Sequence, residues 1–350
     1  MRIRIKDIAQ KAGVSIGTVD RVLHDRSGVS PDTRSKVLAL IDELGYEPSK
    51  VAQALVAQSR NMKIGVIYPD AELHFWGDVL SAIVEERERL EPYGIEIVTE
   101  TTTTYNYLEQ LSAIKSLVDQ GVNGIAMMPY DPTAMDRVIN DLFDKGILFA
   151  HFVSDAQKSK RVFFCGLDNV RSGSVAAALM KLFLGGKGRI AVIGVHRQVQ
   201  CINDRVLGFV NKIEESSSEM EIVTVYNLEE KPMDSEIEYK TLVLEACESI
   251  LQNTKNLDGI YITNSLTYCV SDVLEKYGLL GKVKIIGHER GELNTDALKK
   301  ERIQGLVYQN QCLEVVDAIR YLAHCFTEGV PDMPEIRNVP THILLKENAV

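Results

Sequence analysis

Between residues 63 and 308 the chain alternates short β-branched runs with helical stripes, an order that very few architectures accept. The strand-like runs fall at 63–69, 95–100, 124–129, 147–153, 189–194, 221–226, 259–263, 283–287 and 305–308. Amphipathic stretches at 79–90, 107–120, 133–145 and 172–184 separate several of them. Such alternation predicts parallel sheets wrapped by helices. Nine strands over this length suit two similar α/β lobes better than one wide sheet, with a boundary near Phe164–Asp168. The unbroken apolar run through Met127 and Met128 reads as a strand buried on both faces, so this Met pair belongs to a core. The charged run 85–89 reads as a solvated helix face.

The first 46 residues have a different texture. Ile5, Ile8, Ala9 and Ala12 form a helical stripe, and Gly13 stops it. Ser15 caps a second helix that points Val19, Val22 and Leu23 inward. Ser30-Pro31-Asp32 opens a third, whose inner face is Val37, Leu38, Ile41 and Leu44. Two amphipathic helices joined by Gly13-Val14-Ser15 have the form of a helix-turn-helix. Its second helix offers Ser15, Gly17, Thr18, Asp20 and Arg21 to solvent, a polar face suited to base edges. A small three-helix bundle with no DNA role is the other reading of this pattern. Charge favours the first reading. Residues 1–60 hold ten basic and seven acidic side chains, a net of +3, so the rest carries −13 of the total −10. Only the head suits a polyanion.

Several function classes are disfavoured. No apolar run approaches the roughly 20 residues needed to span a bilayer, and the start lacks a secretory stretch, so a cytoplasmic protein with no membrane partner is expected. The six cysteines are scattered without a C-x-x-C pair, as for buried thiols in a reducing compartment. Gly185-Gly186-Lys187-Gly188 precedes a strand instead of joining strand to helix, so it reads as a turn, not a phosphate loop. No nucleophile motif or metal-ligand spacing stands out. Neither catalysis, a cofactor nor a metal is expected.

At Lys6-Asp7-Ile8-Ala9-Gln10-Lys11-Ala12-Gly13-Val14-Ser15-Ile16-Gly17-Thr18-Val19-Asp20-Arg21-Val22-Leu23 the chain resembles the lac repressor/galactose repressor family. Tyr46-Glu47-Pro48 and Ala52-Gln53-Ala54-Leu55 resemble that family's linker and hinge. The resemblance implies an all-α helix-turn-helix head over 1–46, a linker and hinge helix over 47–60, and an effector-binding and dimerisation core over 61–350. That core would resemble type I periplasmic binding proteins, with two doubly wound parallel-sheet lobes joined by three crossings. The first lobe is expected at about 61–165 and 290–320, the second at about 166–289 and 321–345. It also implies a homodimer reading operator DNA through Ile16, Gly17 and Arg21, with Thr18 on phosphate or base and Ser15 positioning the backbone. Ser49, Gln53 and Leu55 would be the hinge's DNA-facing residues, Leu55 wedging into the minor groove. Asp20 stands where the family usually has Ser, and Gln53 where it usually has Arg; both alter the expected operator.

Ligands of two-lobed sheets sit at the carboxyl ends of strands. The loop after the first strand carries Glu72, Phe75 and Trp76, which either stack on a ligand or anchor the lobe core. Asp131, Asp155 and Asp168 follow later strands and serve as ligand groups or as caps. By resemblance, Arg205 matches the effector-binding arginine, and Asn264 and Gln309 match other cleft positions. Glu289 stands where the family usually has Asp. The expected function is a sequence-specific DNA-binding transcriptional regulator, in the first instance a repressor, controlled by a sugar-like effector. The alternatives are control by a protein partner, or a ligand-binding core with an enzymatic activity.

Overall fold

In the computed structural model, residues 5–23, 28–44, 62–69, 75–103, 106–194, 199–216, 219–227 and 236–349 are described. Ser49, Gln53, Leu55 and Glu72 lie outside them, as does the side chain of Asp20.

The head consists of α1 (Ile5–Ala12), α2 (Ile16–Leu23) and α3 (Pro31–Leu44). Gly13 ends α1 in the left-handed region at φ +70°, where glycine meets no Cβ penalty, and the Val14 N–H returns to Ala9 O at 3.0 Å. Ser15 Oγ then accepts from Thr18 N at 3.0 Å, capping α2. Ile8, Ala9, Ala12, Val19, Val22 and Val37 form the core, with Leu40, Ile41 and Leu44 packed against it. Leu38 corrects the expected inner face: it is 49% exposed. Residues 37, 41 and 44 share a helical face, and residue 38 lies about 100° around from 37.

The larger core begins with β1 (Met62–Pro69), α4 (Val79–Leu90), β2 (Ile95–Thr102), α5 (Tyr107–Asp119), β3 (Gly124–Met127), α6 (Pro132–Phe143), β4 (Leu148–Phe152) and β5 (Phe163–Gly166). A second lobe follows: α7 (Asn169–Leu184), β6 (Lys187–Gly194), α8 (Gln200–Glu214), β7 (Glu219–Asn227), α9 (Glu236–Asn253), β8 (Gly259–Ile262), α10 (Thr267–Lys276), β9 (Lys284–His288), α11 (Glu292–Lys299) and β10 (Gly305–Tyr308). The chain returns for α12 (Gln311–Glu328) and β11 (Glu335–Asn338), then crosses again for β12 (His342–Leu344). The first sheet runs β11-β5-β4-β3-β1-β2 and the second β12-β10-β9-β8-β6-β7. All pairings are parallel except β10 with β12.

The nine expected strands are joined by β5, β11 and β12. They are hidden for different reasons: β5 falls on the expected lobe boundary, β11 is exposed throughout, and β12 has only three residues. The lobe division also moves. Residues 305–308 pair with β9 and stay in the second sheet, whereas 311–328 and 335–338 belong to the first. Helix α12 is drawn there by an apolar stripe, Val315, Ala318, Ile319 and Leu322, which packs with Ile64, Ala126 and Phe152. Glu86 is a second correction. It is 3% exposed, not solvated, because Arg320 of α12 forks onto its carboxylate at 2.9 and 2.7 Å.

One packing detail positions the site. Helices α7 and α8 cross so closely that a Cβ on Gly208 would overlap the Val170 carbonyl, and one on Gly173 the Arg205 carbonyl. Ser174 Oγ donates to Gly208 O at 3.1 Å across the same crossing. Gly208→Ala should therefore separate the helices and cost about 1–3 kcal/mol of overpacking. Thermal melting checks this against Gly77→Ala, where a Cβ meets nothing within 4 Å and no change is expected.

Candidate functional site

The close crossing delivers Arg205 to the carboxyl ends of the second-lobe strands. Its side chain is 2% exposed, so every donor needs a partner. Nε donates to Asn169 Oδ1 at 2.9 Å, Nη1 to Thr263 O at 3.0 Å, and Nη2 pairs with Glu289 Oε1 at 2.6 Å. Gln309 Nε2 donates to the same Glu289 oxygen at 3.1 Å. Three expected site residues, Arg205, Glu289 and Gln309, thus form one cluster, with Asn169 and Thr263 as its supports. Below it, Tyr261 stacks on Phe209 with ring centroids 4.1 Å apart, and its hydroxyl bonds to His288 Nε2 at 2.7 Å. Burial, then the charge of Arg205, drives the His288 pKa well below its usual value, so this imidazole is neutral. Asn264 is buried nearby, but its amide donates to Tyr239 OH at 3.0 Å and its carbonyl accepts from Leu266 N at 3.2 Å.

The first-lobe candidates divide by what holds them. Asp155 is buried, paired with His151 Nδ1 at 3.0 Å and Arg161 Nη2 at 2.6 Å. Asp131 caps α6 by accepting from Ala134 N, and Asp168 caps α7 by accepting from Arg171 N, both at 3.0 Å. Trp76 is fully buried, edge-on to Phe75 at 4.8 Å and to Phe152 at 6.1 Å, inside the first-lobe core. Phe75 is buried beside it, and its carbonyl accepts from Gln311 Nε2 at 2.7 Å. A hollow of about 490 Å³ lies at the lobe junction, lined among others by Ser154, Asp155, Asp168, Asn169, Gln200 and Asp204. Cys201 N donates to Ser154 Oγ across it at 3.4 Å.

Backbone strain marks both sides of the junction. Val153 at the end of β4 and Glu289 after β9 adopt φ of 64° and 67°. A β-branched residue is a genuine outlier there, and such strain gathers at functional sites. In the head, Ile16 is 56% exposed and Gly17 and Arg21 are exposed beside it, while the Thr18 hydroxyl is engaged by Ser15 Oγ at 2.9 Å. That face is free to meet a partner. Among the described residues no cluster of His, Cys, Asp and Glu could hold a metal ion, and no helix is long and apolar enough to cross a membrane.

Sequence reasoning missed Glu314. It sits in the first turn of α12, wholly buried, on the apolar stripe that includes Ala318 and Leu322. An acid at such a position is the signal that would have found it. Burial and the neighbouring Glu289 push its pKa well above the usual carboxyl value, against the pull of Arg205. A carboxyl raised in the folded state contributes stability that is full below its unfolded value of 4.5 and is lost as pH rises through the raised one. The advantage in melting temperature of Glu314→Gln over the parent protein should therefore grow from pH 5 to pH 8, a difference in which the opposite contribution of the neutral buried His288 and His151 cancels.

Comparison with known proteins agrees with this geometry. Residues 4–49 match the family described as bacterial regulatory proteins, lacI family, and residues 64–325 match the periplasmic binding protein domain. The chain is 30% identical over 227 residues to the HTH-type transcriptional regulator RegA of Clostridium saccharobutylicum, a match covering 65% of each chain. It is 30% identical to the regulator GalS of Salmonella typhimurium, covering 61% of this chain and 60% of that one. It is also 24% identical to the repressor PurR of Vibrio vulnificus, covering 83% and 82%. The chain thus spans just under two thirds of RegA and GalS. Among solved structures, a solute-binding protein of Burkholderia graminis in complex with D-arabinose superposes with a TM-score of 0.73 at 21% identity, covering 82% of this chain and 96% of that one. GanP, a glucose-galactose binding protein of Geobacillus stearothermophilus, gives 0.73 at 22%, covering 82% and 98%. The chain thus carries a head of the lacI family of bacterial regulatory proteins at residues 4–49 and, over residues 64–325, belongs to the periplasmic binding protein domain family.

Proposed function

We propose that this chain is a sequence-specific DNA-binding transcriptional regulator whose operator affinity is set by a small polyhydroxy ligand held between the two lobes. The observation that carries the reading is the Arg205–Glu289–Gln309 cluster. It is a buried polar constellation at strand ends, on the same chain as a capped helix whose Ile16, Gly17 and Arg21 are exposed. The sugars held by the structural neighbours support the ligand class, and RegA, GalS and PurR support a regulator over an enzyme. The reading places the protein in the cytoplasm as a homodimer, each head entering the major groove of one half-site.

Arg21 reads guanine in this proposal, so Arg21→Ala should relax one position of the site at a cost of about 1–3 kcal/mol. Selection of bound duplexes from a random library, repeated with the variant, measures it; identical preferences would remove Arg21 from recognition. Leu55 in the proposed hinge should act by bending DNA, and Leu55→Ala should lower affinity with little change in preference.

The cleft needs a variant that does not strand a charge. Arg205→Ala alone leaves Glu289 buried without its cation, at about 3–5 kcal/mol. Arg205→Met with Glu289→Gln removes both charges together. This double variant should bind operator normally while losing every ligand-induced change in melting temperature. A retained shift would show that the ligand does not use the cluster.

A further inference from the structure

Helix α8 serves two hydrophobic cores. Its later residues Phe209 and Ile213 pack in the second lobe, in the cluster that holds Val192 and Tyr261. Its first turn does not. Val199, Cys201 and Ile202 are buried in the core of the first lobe, in the cluster that holds Trp76, Phe152 and Leu167. A helix of the second lobe therefore begins inside the first.

The polar end of that turn is met from the same side. Val199 stands at the N-cap of α8 and has no side-chain oxygen to offer the first amides. Ser154 of the first lobe supplies one: its Oγ accepts from Cys201 N at 3.4 Å, and both residues are buried. The bond is long for a cap, so apolar burial carries most of the contact and the hydroxyl satisfies an amide that would otherwise be orphaned. A strained turn places this serine. Its own N–H closes on Phe152 O at 2.7 Å around Val153 at φ 64°, a three-residue turn in a region that β-branched residues avoid. Such a conformation persists only where surrounding contacts hold it, and the bond to α8 is one of them. Arg205 follows Cys201 by one helical turn on the same face, so this contact and the ligand cluster lie next to each other on one helix.

We propose that the first turn of α8 is a clasp that holds the two lobes closed in the unliganded protein, with Val199, Cys201 and Ile202 as its apolar plug and Ser154 as its cap. The inference goes beyond the ligand-binding reading and stands whatever the cleft binds. Such a clasp opens as a local unit. The plug leaves the first-lobe core, Cys201 N loses its acceptor and the Cys201 thiol meets solvent, while both cores stay folded. Burial pushes that thiol up to about 11, so it reacts from the open arrangement.

Alkylation of the full unliganded chain with N-ethylmaleimide, located by peptide mass spectrometry, reads that opening. Half-buried Cys312 is the reactive reference, and Cys165 in the first-lobe core and Cys247 in the second report unfolding of either lobe. Cys201 should label at least tenfold more slowly than Cys312. Ile202→Ala should speed Cys201 tenfold or more and Ser154→Ala about fivefold, with Cys165 and Cys247 as protected as in the parent protein. Cys201 reacting as fast as Cys312 in the parent would mean lobes open at rest and overturn the clasp, as would an unchanged rate in either variant. A parallel rise at Cys165 or Cys247 would mean general unfolding and overturn it too. Each of these failures leaves the ligand-binding reading in place.

Discussion

A guanidinium buried to 2% exposure is the constraint around which the second lobe is arranged. Stripping Arg205 of water is unfavourable unless each of its faces is hydrogen-bonded and its charge is met. The three partners come from three places: Asn169 opens α7, Thr263 follows β8 and Glu289 follows β9. Satisfying one side chain therefore fixes the relative positions of a helix and two strand ends. The glycines at the α7–α8 crossing belong to the same requirement. With a Cβ at Gly173 or Gly208 the helices could not approach, and Arg205 would stop short of Asn169. The strained backbone at Glu289 is held in place by the ion pair and by its N–H bond to Val307 O at 2.8 Å.

Much of this was legible before any coordinates. The strands of both lobes show as apolar runs because they are covered on both faces, and the head shows as stripes broken at Gly13 and capped at Ser15. What failed to show has physical reasons. Strand β11 is exposed on its edge, so nothing in Glu335–Asn338 alternates. The return of the chain after β10 depends on which sheet α12 covers, a tertiary fact that an apolar stripe alone does not report. Trp76 could not be assigned because an aromatic in a loop serves a ligand or a core equally well in pattern. Its burial between Phe75 and Phe152 comes from how the loop turns back. Glu86 and Glu314 were hidden for the opposite reason: acids read as solvated, and both are buried.

Those two acids lie at opposite ends of one mechanical connection. Gln309 belongs to the second-lobe cluster, and Asn310 caps α12 by accepting from Leu313 N at 3.1 Å. One turn into that helix is Glu314, and two turns further Arg320 grips Glu86 of α4 at 2.7 and 2.9 Å. Gln311 adds a bond to the Phe75 carbonyl just before α4. A continuous helix therefore links the second-lobe cluster to an outer helix of the first lobe, ending in a charge-assisted fork of Arg320 onto Glu86. Coupling of this kind needs a differential interaction with two arrangements of the lobes, since a ligand held equally by both shifts nothing.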